Sequence, residues 1–251
     1  MTPGKPSERS LISVIVATYN VEDTIQKTIN SINNQDFDDW ELVVVDGGSS
    51  DRTVDILKSN VCSKIVFKSE KDRGIGDAWN KGLEMASGHW IIFLGSGDWF
   101  PNNTFSRIAR KLTNPAARNT IFYGDVVFES PDGGHSIRYA SRNSGDASAR
   151  GFGFMHPSAF CHRSVFENIG LFNIEKKICV DTDFLLRVCC SKNYSFENSH
   201  HSVVMTTGGV SDRNWLGANL EYLECYVNVL KINPVLSILF KIDVYLRVIF
   251  F

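Results

Sequence analysis

Ile91-Ile92-Phe93-Leu94 is apolar at every position and is followed at once by Gly95-Ser96-Gly97-Asp98. A strand without a polar face must be covered on both sides, which is the condition of a parallel sheet. The glycines let the chain turn sharply. Asp98 then stands just past the carboxyl end of the strand, where open α/β sheets hold their ligands. An acid there is also a common helix N-cap, but Trp99, Phe100 and Pro101 separate it from the next helical pattern.

The same unit recurs upstream. Residues 11–17 are a near-continuous apolar run ending in Thr18-Tyr19-Asn20, after which Val21, Ile25, Ile29 and Ile32 recur at helical spacing. Residues 41–45 form a second strand, ending in Asp46-Gly47-Gly48-Ser49-Ser50-Asp51, with Ser50 or Asp51 placed to cap a helix through Val54, Ile56 and Leu57. Residues 64–67 are a short third strand. A polar loop follows over residues 69–77, carrying Asp72, Gly74 and Asp77, and Ile75, Ala78, Trp79, Gly82, Leu83 and Ala86 then mark a helix. This β-α-β-α-β-α-β order predicts an α/β fold: a Rossmann-type, mostly parallel sheet flanked by helices, with right-handed crossovers and its polar strand ends on one rim. Neither G-x-G-x-x-G nor G-x-x-x-x-G-K-[ST] occurs, which disfavours a dinucleotide fingerprint and a P-loop.

A net charge of −2 gives no general basic field, so nucleic acid is not expected as a partner. Six cysteines without a C-x-x-C pattern predict reduced thiols and a cytoplasmic setting. Residues 1–10 read as a flexible polar tail without the apolar core of a signal peptide. No apolar run reaches the roughly 18 residues that a membrane span requires.

Four segments carry a resemblance. They are Ile12-Ser13-Val14-Ile15-Val16-Ala17-Thr18-Tyr19-Asn20, Glu41-Leu42-Val43-Val44-Val45-Asp46-Gly47-Gly48-Ser49-Ser50-Asp51-Arg52-Thr53, Glu70-Lys71-Asp72-Arg73-Gly74-Ile75-Gly76-Asp77-Ala78-Trp79-Asn80-Lys81-Gly82, and residues 88–98. In this order and spacing the chain resembles the family 2 glycosyltransferases, inverting enzymes of the GT-A fold. Within that family it is similar to enzymes that make bacterial surface polysaccharides, of the colanic-acid exopolysaccharide and O-antigen kind. The resemblance implies a nucleotide-sugar donor, expected to be UDP-linked, held by Thr18, Tyr19, Asn20, Asp46, Gly47, Asp72, Asp77, Ser96 and Gly97. It implies Asp98 as ligand to a divalent metal, Mn²⁺ or Mg²⁺, offsetting the charge of the leaving diphosphate. Two departures stand out. Where many members read Leu-Asp-x-Asp-Asp, this chain reads Leu94-Gly95-Ser96-Gly97-Asp98, and Gly47 replaces a frequent second acid.

In the second half, residues 104–112 read as a helix and 120–123 as a strand. Residues 126–129 and 135–139 read as a hairpin across Pro131-Asp132-Gly133-Gly134, and 141–150 as a polar loop near the site. Phe154-Met155-His156-Pro157 matches a family segment beside the active site, making His156 a candidate for a catalytic or binding role. His162 and His200-His201 lack the spacing of a zinc site. Val180-Asp181-Thr182-Asp183 resembles the family's Glu-Asp-x-Asp stretch. That match makes Asp181 the expected catalytic base and Asp183 the second choice, with Arg187 one turn on and placed to pair with Asp183. A helix over 214–229 carries Leu216, Leu220, Leu223 and Val227 on one stripe, and residues 235–251 are amphipathic, suited to a membrane surface or to packing on protein.

The expected organisation is a tail (1–10), a GT-A domain (11–213) with a nucleotide-sugar half (11–125) and an acceptor half (126–213), and a C-terminal helical extension (214–251). The expected partners are the donor, a saccharide or lipid-linked saccharide acceptor, the inner membrane face through 235–251, and a second copy in a homodimer. Two rivals are a sugar nucleotidylyltransferase and a non-catalytic nucleotide-sugar-binding protein. The first is disfavoured because Thr18-Tyr19-Asn20 lacks the Gly-rich, Arg-bearing loop that wraps a triphosphate.

Overall fold

β-Branched side chains fill β1 (Ile12–Thr18) and β2 (Trp40–Asp46), and such side chains suit a pleated surface covered on both faces. In the computed structural model, which describes residues 10–130, 132–140, 153–209 and 214–231, these strands pair in parallel with β3 (Ile65–Ser69) and β4 (Trp90–Gly95). The strand order is β3-β2-β1-β4-β7, with the short β7 (Cys161–His162) antiparallel to β4. The carboxyl ends are level: Thr18 lies opposite Asp46, Ala17 opposite Gly95, and Asp46 opposite Ser69. The expected rim therefore exists.

Alternation along each strand divides the core between the two faces. Ile12, Val14 and Val16 join Ile25, Ile29 and Ile32 of α1 (Ile25–Asn33), Leu57 of α2 (Thr53–Asn60), and Phe105 and Ile108 of α4 (Thr104–Leu112). Ile15, Val43 and Phe93 face Trp79 and Leu83 of α3 (Ile75–Met85). Each such side chain, fully buried, contributes about 2 kcal/mol before entropy. Gly82 lets α3 close on the sheet, since a Cβ there would stand 2.4 Å from Ile15 Cγ2.

The second half departs from expectation in two places. Residues 120–129 form one strand, β5 (Thr120–Glu129), whose register shifts between Tyr123 and Asp125. It pairs with β6 (His135–Arg138) in the expected hairpin and, in parallel, with β8 (Ser195–Thr206), a strand the sequence pattern does not announce. Trp99 and Val204 exchange backbone hydrogen bonds of 2.9 and 2.8 Å, which ties β8 to the turn after β4. After α5 (Arg163–Ile169) and α6 (Val180–Ser191), α7 (Trp215–Leu230) packs on α6 through Cys179, Leu186, Cys225 and Tyr226. The packed face of α7 is thus not the leucine stripe read from the sequence: Leu223 is buried, but Leu216 is exposed.

Among the described residues no helix is long and apolar enough to cross a membrane. The expectations for the tail (1–9), the loop 141–150 and the amphipathic 235–251 fall outside the described residues.

Candidate active site

Asp46 closes β2 fully buried, and five donors converge on it. Oδ1 accepts from Thr18 Oγ1 (3.1 Å) and Ser49 Oγ (2.5 Å), and Oδ2 from Gly48 N (3.1 Å), Ser49 N (3.0 Å) and Ser69 Oγ (2.6 Å). Burial pushes this carboxyl up, but the Ser49, Ser69 and Thr18 donors outweigh it and hold Asp46 below the ordinary carboxylate range. With both oxygens occupied, Asp46 organises the turn at residues 47–49. Thr18, expected with Asp46 among the nucleotide contacts, is 4% exposed and donates to that carboxylate. Asn20 is likewise engaged: its Oδ1 accepts from Ser50 N at 2.9 Å, and its backbone sits at φ 51°. Tyr19, by contrast, is 64% exposed at the level of these turns, an open aromatic face for a base or sugar.

Asp72 lies against Gly47. A Cβ on Gly47 would stand 2.7 Å from Asp72 Oδ2, so the space of the frequent second acid is filled by an acid from the next loop. Asp72 Oδ1 accepts from Gly74 N at 2.9 Å, and Asp72 forms no ion pair among the described residues. Asp77 differs. It pairs with Arg73 and Lys81, both at 3.3 Å, and accepts from Arg73 N. Burial raises its carboxyl, and the Arg73 N–H with the Lys81 and Arg73 side chains lowers it further, so it stays below its ordinary value. Asp77 thereby braces the start of α3.

Asp98 stands at the end of β4, 8% exposed. Its Oδ1 accepts from Thr206 N (3.0 Å), and its Oδ2 lies where a Gly95 side chain would be, 2.5 Å from a Cβ built there. Burial, against the Thr206 and Gly95 hydrogen bonds and the Lys27 charge, pushes the carboxyl up to about 6. Thr28 Oγ1 accepts from Gly97 N and donates to the Asp98 carbonyl, each at 2.8 Å, and Thr206 Oγ1 donates to the Gly97 carbonyl at 2.8 Å. Ser96 in this turn is partly exposed.

His156 is buried in an aromatic nest. Its ring stacks on Phe93, centroids 5.4 Å apart, and meets Trp79 at 5.2 Å. Phe93 lies two residues before Gly95, so His156 sits at the carboxyl end of β4. Burial lowers its pKa, and the charge of Asp181 pulls the other way. His201 Nε2 donates to the Ser158 carbonyl at 2.8 Å and so anchors the turn that carries His156. Trp79 Nε1 is buried without a partner among the described residues, an N–H available to a bound water or substrate oxygen.

Asp181 and Asp183 separate clearly. Asp183 is 6% exposed and pairs with Arg187 Nε at 3.0 Å, and Arg187 in turn donates to the carbonyls of Ile169 and Leu171. That carboxylate, through Arg187, holds α6 to the loop after α5. Asp181, in the first turn of α6, is half-buried, accepts only from Thr182 at its own turn, and forms no ion pair among the described residues. Glu221 of α7 accepts from three successive backbone N–H groups, Lys177 (2.6 Å), Ile178 (2.6 Å) and Cys179 (3.0 Å), and so fixes the entry to that turn. Thr206 and Glu221 were not legible as site residues, because each acts on backbone brought near by folding.

A divalent ion needs hard oxygen ligands directed at one point. Gly95 and Gly97 offer no side chain, and Asp98 is turned into the fold; among the described residues no group of three or more His, Cys, Asp or Glu could hold an ion. The donor set at this turn does not fit the metal that the resemblance implies.

A mostly parallel sheet flanked by helices, with polar groups along its carboxyl rim, is the GT-A architecture. The same architecture is seen in the mannosyltransferase PcManGT from Pyrobaculum calidifontis, solved with GDP-Man and Mn²⁺ (TM-score 0.65, 18% identity, 96% of this chain and 71% of that one). S. aureus TarS 1–349, solved with UDP-GlcNAc, is also alike (TM-score 0.63, 19% identity, 93% and 71%); of a longer TarS chain this one covers 41%. The sequence model of Glycosyl transferase family 2 matches residues 13–170, more than half of the chain. A PGL/p-HBAD biosynthesis glycosyltransferase of Mycobacterium bovis is 30% identical over 210 residues, 80% of this chain and 79% of the relative. The putative glycosyltransferase EpsH of Bacillus subtilis is 36% identical over 94 residues, 37% of this chain and 27% of the relative. The chain belongs to glycosyltransferase family 2.

Proposed function

We propose that the chain moves one sugar from a nucleoside diphosphate donor, UDP-linked, to a hydroxyl of a saccharide or lipid-linked saccharide, with inversion, in the synthesis of a bacterial surface polysaccharide. Asp181 carries the reading. It is the acid of the expected pair that forms no ion pair among the described residues, and its charge acts on His156 at the carboxyl end of β4. In the reaction the acceptor oxygen attacks the anomeric carbon as the bond to the diphosphate breaks on the opposite side, and Asp181 takes the hydroxyl proton. His156, kept neutral by burial, forms the wall beside that acid. Tyr19 and Asp72 receive the nucleotide: Tyr19 offers its open ring, and Asp72 offers Oδ2 to a base carrying an N–H on its pairing edge. Residues 11–125 supply the donor side and 126–213 the acceptor side. Names of relatives and neighbours support the substrate class, namely PGL/p-HBAD biosynthesis in one case and UDP-GlcNAc or GDP-Man in others. Family membership speaks against the nucleotidylyltransferase rival.

The test is Asp181→Asn, assayed for sugar transfer and, separately, for nucleotide binding. Loss of a general base lowers the rate by about 10²–10⁴-fold. The expected result is a fall of about 10³-fold in transfer with nucleotide affinity and melting temperature unchanged; undiminished transfer would reassign the base.

A further inference from the structure

We infer that this site binds the donor diphosphate without a resident divalent cation, because the turn after β4 is built to exclude the acids that would hold one. The inference rests on the nucleotide-sugar reading above and concerns how that ligand is held. Loss of an acid by drift would leave room for it to return. Here both positions are closed. At position 95 the volume of a side chain is occupied by the Asp98 carboxylate, 2.5 Å from a Cβ placed there. At position 97 the backbone sits at φ 120°, a conformation that L side chains rarely adopt. The backbone is also braced, since Thr28 Oγ1 spans Gly97 N and the Asp98 carbonyl while Thr206 Oγ1 holds the Gly97 carbonyl. Asp98 cannot swing out to serve instead without giving up the Thr206 N–H and uncovering Gly95. The surviving acid is thus a structural plug, and the diphosphate is held without it.

The experiment is nucleotide binding to the full chain, by calorimetry and by thermal shift, with UDP, GDP, UDP-GlcNAc and GDP-Man as probes. Each is measured in EDTA and again in Mn²⁺. Ligand that prefers the native state raises the melting temperature in proportion to its affinity. The expected result is that whichever probe binds does so in EDTA with a Kd within about fivefold of its value in Mn²⁺. Binding that weakens more than this in EDTA overturns the proposal and leaves the nucleotide-sugar reading standing. Absence of binding by every probe in both buffers overturns that reading and this proposal together.

Discussion

Asp46 and Asp98 occupy equivalent places, each just at the carboxyl end of a parallel strand and each buried, yet the fold treats them in opposite ways. Five donors from four residues surround Asp46 and hold it ionised. At Asp98 the backbone hydrogen bonds of Thr206 and Gly95 are too few to offset burial, which raises it to about 6. The difference is how far donors offset desolvation. An acid at the end of a strand is therefore a position, and what it does depends on which donors the neighbouring strands bring. Ser69 comes from β3 and Thr206 from β8.

The largest effect expected from this contrast is at Asp46. Asp46→Ala leaves the Thr18, Ser49 and Ser69 hydroxyls and the Gly48 and Ser49 N–H groups without their acceptor. Breaking a buried network of this kind costs about 4 kcal/mol, read as a lower urea midpoint. A cost under about 1 kcal/mol would mean that water replaces the carboxylate freely and that Asp46 faces the ligand after all.

Asp98 should respond to pH instead. Its folded pKa, raised from 3.8 to about 6, lies above its unfolded value, so the folded state keeps the proton between the two. Stability from this group is therefore present at low pH, falls as pH rises from about 4 to about 6, and is constant above. The total is about 3 kcal/mol, at 1.36 kcal/mol per pKa unit. Asp98→Asn has no proton to lose, so its stability relative to the parent should climb by that amount across the window. Urea titrations of both proteins at several pH values would show it, and a constant difference would mean that Asp98 is solvated.

The parallel sheet was legible because its strands are largely apolar and each ends in polar residues, with glycine and acid after β2, β3 and β4. Strand β8 was hidden for a physical reason. Asn198-Ser199-His200-His201 interrupts its apolar pattern, His200 takes φ 55°, and several of the polar groups find partners remote in sequence, as where Ser199 donates to the Tyr123 carbonyl and His201 to the Ser158 carbonyl. The same limit governs the site. The pairing of Asp183 with Arg187 could be read from its spacing along one helix, and that reading held. The engagement of Asp46 and Asp98 could not, since their donors come from segments remote in sequence.

Glu221 tests whether the donor-count rule extends beyond strand ends. It is a half-buried carboxylate on α7 that accepts three backbone N–H groups from residues 177–179, just before Asp181. Such charge-assisted bonds are stronger than neutral ones, but partial exposure lets water replace some of them. Glu221→Ala should therefore cost about 2 kcal/mol, less than the buried Asp46 network. Glu221→Gln keeps the acceptor oxygen without the charge and should recover about half of that. Because those three N–H groups lead directly into the first turn of α6, the same truncation should lower kcat for transfer while leaving the KM for the donor unchanged. A matching rise in donor KM would show that α7 supports the whole cleft and not the placement of Asp181.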